Sequence, residues 1–325
     1  MKIKDKRLLI CLLALSAITV AAVVLRTVAC FSDLDIVSGH FKNGALFIVS
    51  ASLVGLGVAG ALAYMFLPEQ RTELLSDCHG ALTNVGVGLL GGAFAFFAID
   101  TAATAFTGDA VGITKLTLIL TAIFSTISIG FVFLYPMLGR RLSEIRGFAG
   151  LGAVCCLAFY SIYLLADPEI PLNVPGRIVD QMAYISAALF FLGEVRLFLG
   201  REMWRLYTAF GMIAMILCAY SAVPAIIYYF GNAYSVENYT HLSKSIAQTA
   251  LTLALFFFIA VRTFKVAFLN ANEPGPVAKA ISDIADAKAA ETTEALGEEE
   301  SNENQISIDD IISAEDTPVK NEVEE

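Results

Sequence analysis

The chain has 325 residues, of which 57% are hydrophobic, and its mean hydropathy is +0.70. These values exclude a soluble globular protein, and nine prolines and one tryptophan exclude a proline-rich chain and a repeat array. The formal net charge of −10 is uneven, because residues 270–325 carry a net charge of −13 and residues 1–269 a net charge of +3.

Eight apolar runs follow one another along the first 269 residues, and each is long enough to cross a bilayer. Lipid offers no hydrogen-bond partners to the backbone, so such runs are expected to be helices. The sequence therefore predicts an all-α integral membrane protein, with an eight-span transmembrane bundle at 1–269 and an acidic cytoplasmic tail at 270–325. The predicted spans are residues 8–24, 44–67, 81–105, 116–138, 148–166, 182–199, 206–230 and 246–269.

The first run follows a basic N-terminus and has the alternative reading of a cleaved signal peptide. An uncleaved anchor is favoured, because no convincing small-residue cleavage site ends the run. With the N-terminus inside, thirteen Lys and Arg residues lie on the cytoplasmic side and five lie outside. The sequence thus predicts a cell-membrane protein with both termini in the cytoplasm. The five outside are Arg26, Lys42, Lys115, Arg177 and Lys244.

Glycines are frequent in the second and third spans, and Gly88 and Gly92 form a GxxxG motif. Such a motif allows close approach of two helix backbones where lipid gives no hydrophobic drive for association. It is typical either of a dimer interface or of packing inside one chain, and the second interpretation is preferred for a bundle of this size. The oligomeric state is left open.

The third and fourth spans offer the first intramembrane charges. Asp100 lies near the outer end of the third span, and Lys115 opens the fourth after a short turn. An ion pair across this hairpin, or simple exposure at the interface, is the preferred interpretation. A carboxylate that handles protons or cations in a cavity is the alternative.

A denser charge cluster surrounds the connection between the sixth and seventh spans. Glu194 lies inside the predicted helix end, where Arg201 or Arg205 can reach back to it; Arg196 lies close by. An interfacial salt-bridge network anchored by aromatic residues is the preferred interpretation, and an anion or partner site is the alternative. Further along, Pro224 is expected to kink the seventh span and to free the carbonyl of Tyr220.

The acidic tail has helical composition at residues 277–296 and is too charged beyond residue 297 to bury a core. An apolar patch of Ile306, Ile308, Ile311 and Ile312 stands among its acids. The patch is typical either of a short segment that orders on a cytoplasmic protein partner or of a solvated spacer.

Known catalytic and cofactor motifs are missing from the sequence, which predicts neither an enzyme nor a bound cofactor. A metal site would need Asp33, Asp35, His40 and His241 to converge, and nothing in their spacing requires it. The six cysteines show neither a disulfide framework nor a CxxC pair. No nucleic-acid surface is predicted, and the lipid bilayer is the expected surrounding partner.

Two groups of segments resemble uncharacterised multi-pass proteins of clostridial-type bacteria. The first is LRTVA at residues 25–29 with GHF at 39–41; the second is FFLGEVR at 190–196 with LGR at 199–201 and RLY at 205–207. This resemblance implies a bacterial plasma membrane and an eight-span plan, and it implies no substrate or reaction. From the residues, the preferred function is a membrane-embedded scaffold or regulator whose tail recruits a partner. The alternative is a small-molecule or ion transporter with a cavity between spans.

Overall fold

A computed structural model describes residues 6–35, 39–66, 81–108, 111–134, 144–167, 174–198, 203–231 and 245–268. In these ranges the chain forms eight α helices, and the β structure there is one isolated bridge between Leu34 and Phe41. The predicted tail and the position of Arg201 lie outside the described residues. The helices are α1 Lys6–Ser32, α2 Ala45–Tyr64, α3 Ala81–Thr107, α4 Ile113–Leu134, α5 Glu144–Ala166, α6 Pro175–Phe198, α7 Trp204–Gly231 and α8 Ile246–Phe268.

Seven of these eight helices are long and apolar enough to cross a membrane, which gives the architecture of a membrane-embedded helical bundle. The remaining helix, α5, contributes a shorter apolar stretch of 17 residues at Gly150–Ala166. Two helices extend furthest past their predicted apolar runs. Helix α1 continues to Ser32, and α6 already begins at Pro175, so that both helices take in charged residues.

Helices α3 to α8 form a closed ring, because each packs against the next and α8 packs back against α3. Helices α1 and α2 pack against each other and against α7. Helix α7 is accordingly the most enclosed: nearly all of its residues between Tyr207 and Ala225 are buried. Aromatic side chains fill the ring, with Phe97 edge-on to Tyr160 at 4.7 Å and Phe191 stacked on Phe258 at 5.9 Å between ring centroids.

Close helix contacts in the bundle depend on glycine. Gly211 of α7 lies so close to Thr263 of α8 that an added Cβ would overlap the threonine hydroxyl, and it would also lie 3.3 Å from the Phe190 ring. In α3, an added Cβ at Gly91 would lie 3.0 Å from Val132. Packing of this kind holds helices together where lipid removes the hydrophobic drive.

The two GxxxG glycines, unlike Gly211 and Gly91, make no close helix contact. A Cβ added at Gly88 or at Gly92 would meet no atom within 4 Å. Both glycines line an apolar groove of about 610 Å³ between α3 and α8, together with Phe96, Leu253 and Phe257. The preferred prediction, packing inside the chain, is therefore wrong for this pair within the described part of the bundle, and the dimer interpretation stays a prediction.

Candidate functional sites

A buried ion pair joins α6 to α8. The Nε of Arg262 donates to Oε1 of Glu194 at 2.9 Å, and its Nη2 donates to Oε2 at 3.3 Å. The Tyr207 hydroxyl of α7 donates to the same Oε1 at 2.6 Å. Glu194 is 0% exposed and Arg262 is 2% exposed. The carboxylate thus holds three helices together through charge-assisted hydrogen bonds, with both of its oxygens engaged.

This geometry gives Glu194 a partner that the sequence does not predict. Proximity across the α6–α7 connection favours Arg201 or Arg205, whereas the ion pair joins Glu194 to Arg262, 68 positions along the chain. Arg205 is half-buried near the start of α7, and Arg196 is exposed. Arg201 lies outside the described residues. At the deepest member of the predicted network, the structure therefore shows a pair inside the bundle, and the contacts with Arg201 and Arg205 stay predictions.

Asp100 and Lys115 are both half-buried, near neighbouring ends of α3 and α4. Within the described part of the chain, Asp100 and Lys115 form no salt bridge with each other. Of the two preferred explanations for Asp100, exposure at the helix end agrees with this placement and the ion pair does not.

A polar cluster lies inside the helix ring, at the end where α6 and α8 begin. The Tyr160 hydroxyl donates to Oε1 of Gln248 at 2.9 Å. Thr252 donates its hydroxyl proton to the Gln248 carbonyl at 2.8 Å, so the Tyr184 hydroxyl is the donor in its 2.8 Å bond to Thr252. The Nε2 of Gln248 is buried and has no hydrogen-bond partner among the described residues. Helices α5, α6 and α8 thus share a polar layer with one donor left over.

Two further charged residues lie in the first two turns of α6, beside this polar cluster. The Ser221 hydroxyl of α7 donates to Oδ1 of Asp180 at 2.6 Å, and Asp180 is 0% exposed. Arg177, one turn earlier on α6, is 1% exposed. Asp180 and Tyr184 are four residues apart on one helix, so the carboxylate and the Gln248 layer share a helix face. These groups were missed at the sequence level because α6 was predicted to begin at residue 182.

A further buried charge is Arg26 of α1. Its Nη1 donates to the backbone carbonyl of Tyr220 at 2.6 Å, and its Cζ lies 4.4 Å from the centroid of the Tyr220 ring. The Tyr220 hydroxyl is 2.7 Å from the Ser50 hydroxyl of α2. Arg26 is only 3% exposed and lies within α1, whereas the sequence predicts an outer loop at this position. The signal that identifies this contact is Pro224, which lacks the N–H that would otherwise bind the Tyr220 carbonyl.

Comparison with protein-family models, with curated proteins and with solved structures returns no match for this chain.

Proposed function

We propose that the chain is an eight-span protein of a bacterial plasma membrane that acts as a scaffold or regulator, with a cytoplasmic tail that recruits a protein partner. The observation that best supports a scaffold is that both carboxylate oxygens of Glu194 accept hydrogen bonds from residues of other helices. Arg262 binds both oxygens, and Tyr207 binds one of them. A carboxylate that binds a transported ion must exchange partners, whereas this one is committed to holding α6, α7 and α8 together. The eighth span is α5, which packs between α4 and α6 and is apolar from Gly150 to Ala166.

The burial of several cations supports the proposed orientation, in which both termini are cytoplasmic. Arg26 and Arg177 lie inside the bundle and so do not count as outer-loop charges; Arg262 is likewise buried on the inner side. Removing these three changes the Lys and Arg count from thirteen against five to twelve against three in favour of a cytoplasmic N-terminus. Reporter fusions at Asn270 and at Asp109 should therefore show opposite sidedness. Reporters active on the same side would contradict the eight-span plan.

The tail is proposed to recruit its partner through the isoleucine patch at residues 306–312. A net charge of −13 keeps residues 270–325 from forming a core of their own, so an apolar segment in them is available for coupled folding on a partner. Deleting residues 297–325 should leave the thermal unfolding temperature of the purified protein unchanged. In cells, the same deletion should abolish the cross-link between the chain and its protein partner.

Changing the four patch isoleucines to serine in the full chain should abolish the same cross-link. Changing four tail alanines outside the patch, at positions 285, 287, 289 and 290, to serine is the matched control and should preserve it. A cross-link that survives loss of the isoleucines would reject the patch as the recruiting segment. A large stability loss on deletion would instead mean that the tail packs on the bundle.

Transport of a small polar solute or ion is the second candidate, and the Gln248 layer favours it. Polar side chains inside a membrane bundle are costly and commonly mark solute pathways. Here Tyr160, Tyr184, Thr252 and Gln248 converge inside the ring, and the Nε2 of Gln248 has no partner among the described residues. The route would run through this layer and Asp180 rather than through Glu194.

Replacing Tyr160 with Phe and Gln248 with Met together separates the two candidates. The double change removes a hydrogen-bonded pair and the unsatisfied amide, so the thermal unfolding temperature should stay the same or rise. A scaffold would keep its cellular phenotype in this variant, whereas a transporter that uses the layer would lose it. Thermal unfolding in detergent and complementation of a deletion strain are the two measurements.

A further inference from the structure

The break in the backbone hydrogen bonding of α7 is filled by a side chain from another helix. Pro224 has no N–H, so the carbonyl of Tyr220, four residues earlier, has no helical donor. Arg26 of α1 supplies the donor through Nη1 at 2.6 Å. The same guanidinium lies over the Tyr220 ring, 4.4 Å from its centroid. One residue of α7 therefore offers both a carbonyl oxygen and an aromatic face to a single cation.

The surroundings hold that residue in place and leave the cation without a carboxylate. The 2.7 Å contact between the Tyr220 and Ser50 hydroxyls fixes the ring against α2. Within the described part of the chain, Arg26 forms no ion pair, and its buried Nε has no hydrogen-bond partner. A cation that is buried to 97% and bound by a carbonyl and a ring is held by the two features that recognise organic cations.

We propose that this break in α7 is a binding site for a cationic nitrogen group, a guanidinium or an alkylammonium, and that Arg26 fills it here as a tethered ligand. The site is named the Tyr220 cradle, formed by the carbonyl and ring of Tyr220 with Ser50 behind the ring. An external organic cation binds the cradle by displacing Arg26. Such a ligand would loosen the contact between α1 and α7, which goes beyond the scaffold role.

The chemistry of the cradle selects this class of ligand over a metal ion. A hard cation such as Ca²⁺ needs six to eight oxygen ligands, and even Mg²⁺ needs six. The cradle offers one backbone carbonyl and a ring face, which suits a group with an N–H donor and a diffuse charge. A freed carbonyl at a broken membrane helix is also a known place for cations to bind.

The test is rescue of a truncated arginine by free guanidinium in the full-length protein in detergent. Arg26→Ala should lower the thermal unfolding temperature, and millimolar guanidinium chloride should raise it again by several degrees, with saturation. Equal concentrations of urea and of sodium chloride should give no rise. The wild-type protein should show no rise at millimolar guanidinium, because at that concentration the tethered Arg26 outcompetes the free cation for the cradle. Because guanidinium otherwise favours unfolding, a rise indicates binding. Absence of a rise, or an equal rise with urea, would overturn the proposal.

Two double variants identify where the guanidinium binds. Pro224→Ala returns a helical N–H to the Tyr220 carbonyl, so Arg26→Ala with Pro224→Ala should no longer respond to guanidinium. Arg26→Ala with Tyr220→Leu removes the ring and should also lose the response. A response that persists in both variants would place the effect elsewhere and reject the cradle.

A second comparison keeps the proposal testable where Arg26→Ala does not fold. Arg26→Lys keeps a cationic nitrogen on a long stem, whereas Arg26→Met keeps the length and removes the charge. The lysine variant should unfold at a higher temperature than the methionine variant, because only lysine can occupy the cradle as a cation. Equal unfolding temperatures for the two would show that the cradle does not recognise positive charge.

Discussion

Replacing Glu194 with glutamine should be among the most destabilising single changes in this bundle. Arg262 would keep its charge in a site where it is 2% exposed, and no carboxylate would balance it. Removal of one partner from a buried ion pair typically costs about 3–5 kcal/mol. The measurement is thermal unfolding of the purified protein in detergent, together with the yield of folded protein.

The partner of Glu194 can be identified by double substitution. Glu194→Gln with Arg262→Gln removes both charges and should recover much of the lost stability, because the stranded cation is gone. Glu194→Gln with Arg205→Gln should recover much less of it, because the stranded Arg262 remains. If stability is recovered with Arg205→Gln and not with Arg262→Gln, the ion pair between α6 and α8 is contradicted. Tyr207→Phe should cost less than Glu194→Gln, about 1.5–3 kcal/mol for one hydrogen bond to a charged group.

Glu194 shows what the sequence could and could not predict about this site. Its depth within an apolar run marks it as a buried charge that needs a partner. The sequence offers nearby arginines as partners, because only short separations along the chain can be judged from spacing. Arg262 lies 68 residues away on α8, and only the packing of α6 against α8 brings it within 2.9 Å. Long-range pairing of this kind depends on the order of helices in the ring.

Arg26 and Asp180 illustrate a second limit, at the ends of helices. Apolar runs locate the helices well, but the first predicted run ends before Arg26 and the sixth begins after Asp180. Helix α1 extends to Ser32 and α6 starts at Pro175, because their charges find buried partners: the Tyr220 carbonyl for Arg26 and the Ser221 hydroxyl for Asp180. A buried polar group is stable once it is hydrogen-bonded, so composition alone underestimates helix length here. The freed carbonyl at Tyr220, by contrast, follows from Pro224 in the sequence.

Adding a single methyl group at Gly211 should be the most damaging small change in α7. The Cβ of Gly211→Ala would overlap the hydroxyl of Thr263 and would lie 3.3 Å from the ring of Phe190. Threonine is branched at Cβ, so rotation would bring its methyl group toward the same space. Overpacking of a well-filled core typically costs about 1–3 kcal/mol, and a clash between two helices that both pack on α6 should lie at the upper end. Thermal unfolding in detergent measures the loss.

Thr263→Ala should remove the overlap caused by Gly211→Ala, and Gly92→Ala is the matched control. The buried Thr263 hydroxyl has no hydrogen-bond partner among the described residues, so Thr263→Ala alone should cost little. Combined with Gly211→Ala it should restore most of the stability, because the overlapping oxygen is removed. Gly92→Ala adds the same methyl group where no atom lies within 4 Å, and it should change stability by no more than about 0.5 kcal/mol. If Gly92→Ala proves as damaging as Gly211→Ala, the α3–α8 groove is covered in the assembled protein, and the GxxxG glycines act at an interface between chains.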